Sequence, residues 1–371
     1  MSAQSFDIFC RVVDNFGDIG VCWRLARQLA QPPYLSKVRL WVDDLHSFTR
    51  IERQIDPHAP QQTVDAVDIM HWTPSTTQLK PHSVVIEAFA CDPPAAFVDA
   101  MVRENSLWIN LEYLSAESWV ESCHAVPSMQ ANGLRKYFFF PGFTPATGGL
   151  LREPGLLARR DQWLSKPAHR FELLHALGVP PNQLQRLQQG ARQAFLFCYP
   201  NAPALGLLDS LKQQTTPSVL IVPAGVYPEL LNEQSEHVYV HEIPFVNQTT
   251  FDQLLWSSDL NFVRGEDSLV RALWAGKPLV WQIYAQEEDA HMIKLQAWLE
   301  RSPYSGQVRD LMAGWNRGGR TEFALQMNTA LRPENWKTWQ ADSAKWSKKL
   351  SEYPDLAYTL AGFCAQQHRS G

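Results

Sequence analysis

The stretch from Leu260 to Ile283 constrains the fold of this chain most. Ser258-Asp259-Leu260-Asn261-Phe262-Val263 has the apolar character of a short strand. Arg264-Gly265-Glu266-Asp267-Ser268 follows as a polar loop with one glycine, and Leu269 to Ala275 reads as a helix. Gly276-Lys277-Pro278 ends that helix, because glycine caps a helix terminus and proline cannot continue one. Leu279 to Ile283 is then a buried strand. A helix starting at such a loop offers unpaired backbone N–H groups and the positive end of its dipole to an anion. Arg264 adds a forked cation that suits phosphate. The segment points to a site for the diphosphate of a nucleotide-sugar, in the C-terminal half of a two-domain glycosyltransferase.

The same alternation runs through the rest of the chain. Phe6 to Val13 reads as a strand, Asp14-Asn15-Phe16-Gly17-Asp18-Ile19-Gly20 as a loop, and the residues through about Ala30 as a helix. Val38 to Val42, Val67 to Met70, Val84 to Ala88 and Leu107 to Leu111 are further short apolar runs, with a helix over Ala95 to Arg103. The composition shifts after Phe138-Phe139-Phe140-Pro141-Gly142, where Thr147-Gly148-Gly149 and Pro154-Gly155 mark an interdomain connection. Alternation restarts at Ala194 to Tyr199 and continues through Val219 to Val222 and Val238 to His241. The pattern predicts an α/β protein with parallel, doubly wound sheets. The expected division is an N-terminal Rossmann-like domain over 1–150, a linker region over 151–178, and a C-terminal Rossmann-like domain over 179–353. The last helix, about 354–371, is expected to pack back on the first domain. Two such units match the GT-B architecture, in which ligands sit at the carboxyl ends of the strands in a central cleft.

A length of 371 residues accommodates two sizeable cores. The formal net charge of −5 argues against general nucleic-acid binding. Cys10, Cys22, Cys91, Cys123, Cys198 and Cys364 form no C-x-x-C pair and are scattered among apolar segments, so they read as reduced, mostly buried thiols of a cytoplasmic protein. No apolar run reaches the roughly 18 residues of a spanning helix, so no membrane partner is expected. His237 and His241 lie on a strand pattern, the other histidines are dispersed, and no H-E-x-x-H, P-loop or G-x-S-x-G occurs. No metal and no cofactor are expected.

The residues suited to chemistry cluster at strand-to-helix turns. Asp14 and Asp18 flank the first turn, and Gly17 and Gly20 permit tight turning and close approach of a ligand. Spacing alone leaves two readings open: a catalytic carboxylate pair, or a helix cap and a turn residue. Glu266 beside a phosphate site suits sugar or ribose hydroxyls, or a cationic acceptor, although Glu266, Asp267 and Ser268 could equally serve the helix start. Phe197 and Tyr199 end a strand and could flank a nucleobase or simply pack. Phe245, Asn247 and Gln248 follow the Val240 strand in a loop suited to contacting the base. Tyr284 to His291 could bind sugar hydroxyls or form an acidic helix turn. Another GT-B nucleotide-sugar enzyme such as an epimerase, or a non-catalytic translation-factor-binding protein, shares part of this pattern.

Phe9-Cys10, Val12 through Val21 and Trp23 through Leu29 resemble the N-terminus of the EarP family, bacterial protein-arginine rhamnosyltransferases. Arg264 to Ser268, the run through Pro278, and Tyr284 to His291 resemble the family's donor-site segments. The resemblance spans nearly the whole chain. It implies a metal-independent, inverting GT-B enzyme that moves L-rhamnose from dTDP-β-L-rhamnose to one arginine of translation elongation factor P. That modification activates the factor for relief of ribosomes stalled at polyproline. The resemblance assigns Asp14, Asp18 and Glu266 to catalysis. Asn15, Phe16, Gly17, Phe197, Tyr199, Phe245, Asn247, Gln248, Arg264, Gly265, Asp267, Ser268 and Tyr284 fall on the donor side. Asp18 is the first choice for general base, with Asp14 positioning the acceptor. The division between these two aspartates stays open at this point.

Overall fold

A computed structural model of the chain describes residues 4–14, 16–76, 80–285 and 289–370. The chain divides into two compact units, Met1–Pro154 with Ser351–Gly371, and Gly155–Leu350.

The first unit runs β1 (Ser5–Cys10), α1 (Gly17–Ala30), β2 (Lys37–Val42), α2 (Leu45–Thr49), β3 (Gln61–Val64), β4 (Val67–His71), β5 (Val84–Ala88), α3 (Ala95–Glu104), β6 (Leu107–Leu111), α4 (Trp119–Cys123), β7 (Val126–Met129) and β8 (Arg135–Phe139). The strands form one sheet in the order β3-β4-β2-β1-β5-β6-β8-β7. It is parallel throughout its centre and antiparallel only at the β3–β4 and β7–β8 edges. Strand residues alternate between two cores, as the two-residue period of a strand requires. Phe6, Ile8, Cys10, Ile86 and Ile109 pack with Ile19, Trp23 and Leu25 of α1. Phe9, Val85 and Trp108 pack with Phe97 and Met101 of α3. Asp7 is a charge in the middle of β1 with no exposure, and it is fully met. Arg39 forks onto it at 2.6 and 2.8 Å, and the Trp41 indole N–H and the His82 backbone N–H donate at 2.9 and 2.7 Å.

The second unit runs α5 (Leu156–Leu164), α6 (Ala168–Ala176), α7 (Pro181–Gln188), β9 (Arg192–Phe197), α8 (Ala204–Lys212), β10 (Ser218–Pro223), α9 (Pro228–Asn232), β11 (Val238–Ile243), α10 (Gln248–Ser257), β12 (Leu260–Arg264), α11 (Gly265–Ala275), β13 (Leu279–Gln282), α12 (Ala290–Arg301), α13 (Gly306–Arg317), α14 (Arg320–Ala330) and α15 (Pro333–Ser351). Its sheet is wholly parallel, in the order β11-β10-β9-β12-β13. α16 (Leu356–Ser370) belongs to the first unit, where Leu356, Ala357, Leu360 and Cys364 join the core beside α1.

Both sheets therefore reverse their winding once: between β1 and β5 in the first, between β9 and β12 in the second. At such a switch point neighbouring connections leave in opposite directions and open a crevice at the carboxyl ends.

Three features depart from the expectations above. The 151–178 segment is not a linker throughout, because it contains α5 and α6, both packed on α10. The loop-like composition stops at Pro154-Gly155, where Gly155 at φ 73° starts α5. β4 pairs with a preceding strand, β3, through a tight turn in which Asp65 and Ala66 are left-handed at φ 49° and 64°. Arg135–Phe139 is strand β8, so the sheet of the first unit extends beyond Leu111.

Candidate active site

In the first unit the site grows from the β1–α1 turn. The helix begins at Gly17, and its N-cap residue, Phe16, supplies no side-chain cap. Asp18 lies inside the first turn and reaches backwards: its Oδ2 accepts the backbone N–H groups of Val13 and Asp14, each at 2.9 Å. The cap reading of Asp18 therefore does not hold; its carboxylate ties the loop to the helix start instead. Gly17 N–H donates to the Asp14 carbonyl at 2.6 Å, closing the turn. A Cβ on Gly17 would sit 2.7 Å from Asp14 Oδ2, so only glycine lets the Asp14 carboxylate fold over this turn. Asp43, at the end of β2, accepts from Val12 N–H at 2.9 Å and supports the loop from the other side. Asp18 is almost entirely buried. Burial raises its pKa above the usual aspartate value, the two backbone donors oppose that shift, and the negative Asp14 and Asp43 reinforce it. Asn15 lies outside the described residues.

In the second unit the site lies at the carboxyl ends of β9 and β12, whose register pairs Phe197 with Val263. The Arg264 guanidinium lies 4.4 Å from the Tyr199 ring centroid and 5.4 Å from that of Phe197. This cation–π packing holds the fork at the switch point. Phe245 meets Phe197 edge-on at 6.5 Å. Tyr227 is fully buried, and its hydroxyl donates to the Cys198 carbonyl at 2.6 Å and accepts the Cys198 N–H at 2.9 Å. The peptide between Phe197 and Tyr199 is thereby pinned. Tyr199 N–H in turn donates to Gln282 Oε1 at 2.8 Å.

α11 starts at Gly265, whose φ of 59° lets the chain turn from strand into helix. Trp281 Nε1 donates to the Gly265 carbonyl at 2.8 Å. Glu266 and Asp267 are half-buried in the first turn. Ser268 Oγ donates back to the Arg264 carbonyl, so its proton is used within the helix. Asn247 is the N-cap of α10, accepting from Thr250 N–H at 2.9 Å, and Gln248 is the buried first residue of that helix. The two helices are locked by a buried fork, Arg271 onto Asp252 at 3.0 and 2.5 Å.

A cavity of about 230 Å³ opens beside Tyr199 and is lined also by Asn201, Gln282, Ile283, Tyr284, Ala285, His291 and Asn316. Tyr284 is exposed and meets Tyr199 edge-on at 5.7 Å. Asn316 shapes this wall, accepting Ile283 N–H at 3.0 Å and donating to the Trp281 carbonyl at 2.8 Å. Gln286, Glu287 and Glu288 lie outside the described residues. Sequence reasoning missed Tyr227, Gln282, Asn201 and Asn316, because each acts through a contact remote in sequence. Among the described residues no three His, Cys, Asp or Glu side chains gather as a metal-ligand set, and no helix is long and apolar enough to cross a membrane.

The two doubly wound units share their fold with nucleotide-sugar transferases. A solved UDP-glucose: anthocyanidin 3-O-glucosyltransferase in complex with UDP matches over 98% of this chain and 99% of its own, with TM-score 0.55 at 11% identity. The fold is GT-B, and the class is glycosyltransferase. The particular family follows from sequence: a family model described as Elongation-Factor P (EF-P) rhamnosyltransferase EarP matches residues 6–365, and the chain belongs to that family. A protein-arginine rhamnosyltransferase of Pseudomonas putida is 46% identical over 97% of this chain and 98% of its own length. The solved structure that gives the structural basis for EarP-mediated arginine glycosylation of translation elongation factor EF-P matches over 98% of this chain and 99% of its own, with TM-score 0.65 and 32% identity.

Proposed function

We propose that the chain transfers L-rhamnose from dTDP-β-L-rhamnose to one arginine of translation elongation factor P, with inversion at the anomeric carbon. The observation that carries the reaction is Asp18: a buried carboxylate fixed by two backbone donors, with its pKa raised. The acceptor and sugar are those named for the relatives.

Arginine is a reluctant nucleophile, because its guanidinium stays protonated and delocalised at neutral pH. A carboxylate cannot deprotonate it beforehand, since a negative neighbour stabilises the cation. The base must accept the proton while the new bond forms. A guanidinium nitrogen attacks C1 of rhamnose. The bond between C1 and the β-phosphate oxygen breaks, and its electron pair leaves with dTDP. The nitrogen's proton passes to Asp18. One displacement converts the β-linked donor to an α-linked product; retention would need a second displacement through a covalent sugar–enzyme intermediate, by analogy with glycosidases. Asp14 positions the acceptor, and Glu266 orients the guanidinium or the sugar. Arg264 and the positive end of the α11 dipole offset the charge growing on dTDP, so the scheme needs no metal. Phe197, Tyr199, Phe245 and Gln248 take the nucleotide, and the cavity beside Tyr199 and Tyr284 takes part of the donor. The cytoplasm is the proposed compartment, since the acceptor is a translation factor and the six cysteines are free thiols.

Incubation of elongation factor P with the chain and dTDP-β-L-rhamnose tests the reading by intact mass and fragmentation. One deoxyhexosyl gain on an arginine is expected. A donor altered without acceptor, as an epimerase would do, or complex formation with no mass gain overturns it.

A further inference from the structure

Beside the aspartate turn, on the same edge of the first sheet, lies an aromatic pair with no assigned role. Phe89 follows β5 and Tyr113 follows β6. Their rings stack with centroids 4.5 Å apart and planes 17° from parallel. β5 neighbours β1, with Phe9 opposite Glu87, and β6 neighbours β5, with Ala88 opposite Leu111. The turns leaving β1, β5 and β6 are therefore consecutive along one edge, and the first two flank the switch point. Phe89 packs, with Val12, against the core that contains α1, so it stands on the sheet face that carries the helix of Asp18. Tyr113 is 36% exposed, which leaves an aromatic surface beside water.

The backbone is held in an unfavourable form to achieve this. Phe89, Ala90 and Asp92 are left-handed, at φ 59°, 52° and 50°, although none is glycine. Such conformations persist only when the surroundings over-determine them, and they concentrate at binding and catalytic sites. Here Phe89 N–H donates to the Leu111 carbonyl at 2.8 Å, Ala90 N–H to Asn110 Oδ1 at 3.1 Å, and Cys91 Sγ to the Phe9 carbonyl at 3.4 Å. Asn110 Nδ2 donates to Glu112 Oε1 at 2.6 Å, so a further carboxylate stands between the strand end and Tyr113. Asp14 and Asp18 at the turn after β1, and Asp43 after β2, stand along the same edge, where the Arg11 guanidinium is turned onto the Trp72 ring, 5.5 Å from its centroid.

An aromatic face rimmed by carboxylates is a site for a planar cation. We propose that the Phe89–Tyr113 stack is the shelf on which the acceptor's guanidinium lies, and that it selects arginine by shape as well as charge. This rests on the arginine-acceptor reading above and deepens it. The chemistry favours such a shelf. The nucleophilic electron pair of a guanidinium nitrogen belongs to its π system and points out of the plane. Stacking one face on the aromatic pair leaves the other face for the anomeric carbon, while the N–H edge meets the carboxylates. A lysine ammonium has no plane to stack and gains none of this orientation.

The test uses the full chain with elongation factor P and dTDP-β-L-rhamnose. Phe89→Ala and Tyr113→Ala are each expected to lower kcat/KM for the acceptor protein about tenfold, the scale of a partly desolvated cation–π contact. Calorimetric donor affinity should not change, and Tyr113→Phe, which keeps the ring, should lose less than Tyr113→Ala. Phe89→Leu keeps the bulk without the ring and should show the same loss if Phe89→Ala fails to fold. Binding to elongation factor P whose modified arginine is changed to alanine completes the cycle: against that partner the variants and the unaltered chain should bind alike. Unchanged kcat/KM in the variants overturns the shelf. So does an affinity loss that persists without the arginine, because the pair would then serve the fold or a general protein contact. Absence of transfer by the unaltered chain overturns the acceptor reading itself, and the shelf with it.

Discussion

Asp18 is subject to opposing effects. Two backbone donors favour its ionised form, whereas burial and the charges of Asp14 and Asp43 disfavour it, and the net pKa is raised. A carboxyl group whose pKa is higher in the folded than in the unfolded chain contributes stability that is complete below the unfolded value, about 4, and is lost as pH rises through the folded value. Ionised Asp18 therefore costs stability at neutral pH. Asp18→Asn keeps an oxygen that can accept the same two bonds, so it should melt at or above the temperature of the unaltered chain at pH 7. Thermal melts should show that difference shrinking toward pH 4. For the reaction, the acid limb of kcat/KM should lie above an ordinary aspartate value. Asp43→Asn removes one like charge and keeps the bond to Val12 N–H, so a pH–rate profile should show that limb moving down. Both aspartates were legible in the sequence as a pair at a turn. The backward clamp on the loop was not, because cap and clamp use the same residue type at nearly the same place.

At the level of elements, the proposed donor site depends on where α10 and α11 begin. Gly265 turns the chain at φ 59°, and an alanine there would carry a left-handed Cβ penalty of about 1–2 kcal/mol. Gly265→Ala should lower stability by that order in denaturant titration and weaken donor binding in calorimetry. Asp252→Ala strips Arg271 of the carboxylate it forks, a loss of about 3–5 kcal/mol for a buried pair. The loss should show as a lower midpoint in urea. The sequence announced α11 clearly, since apolar periodicity ends at Gly276, which caps the helix. It hid α5 and α6, in which Leu156 and Leu174 are buried while Leu164 stands exposed, so the apolar residues do not fall into one stripe. It also hid β3, whose Gln-Gln-Thr-Val carries little apolar signal at an edge. Gln282 and Asn316 were invisible for another reason: their amides act on backbone groups brought near only by the folded sheet.

For the whole molecule, the proposed chemistry falls to the first unit and the proposed donor binding to the second. The alternation of strands and helices made two doubly wound units readable, and each sheet has the single switch point at which a ligand crevice opens. Rhamnose and arginine were not readable from residue spacing, because carboxylates and a helix start suit many sugars and acceptors; family resemblance supplied them. The division of labour is tested most directly by measuring donor affinity and single-turnover transfer on one variant, Asp18→Asn. The expected dissociation constant for dTDP-β-L-rhamnose is like that of the unaltered chain, with transfer to elongation factor P slowed by about 10²–10⁴-fold, the range of a lost general base. Near-normal transfer, or donor binding lost together with transfer, would contradict it.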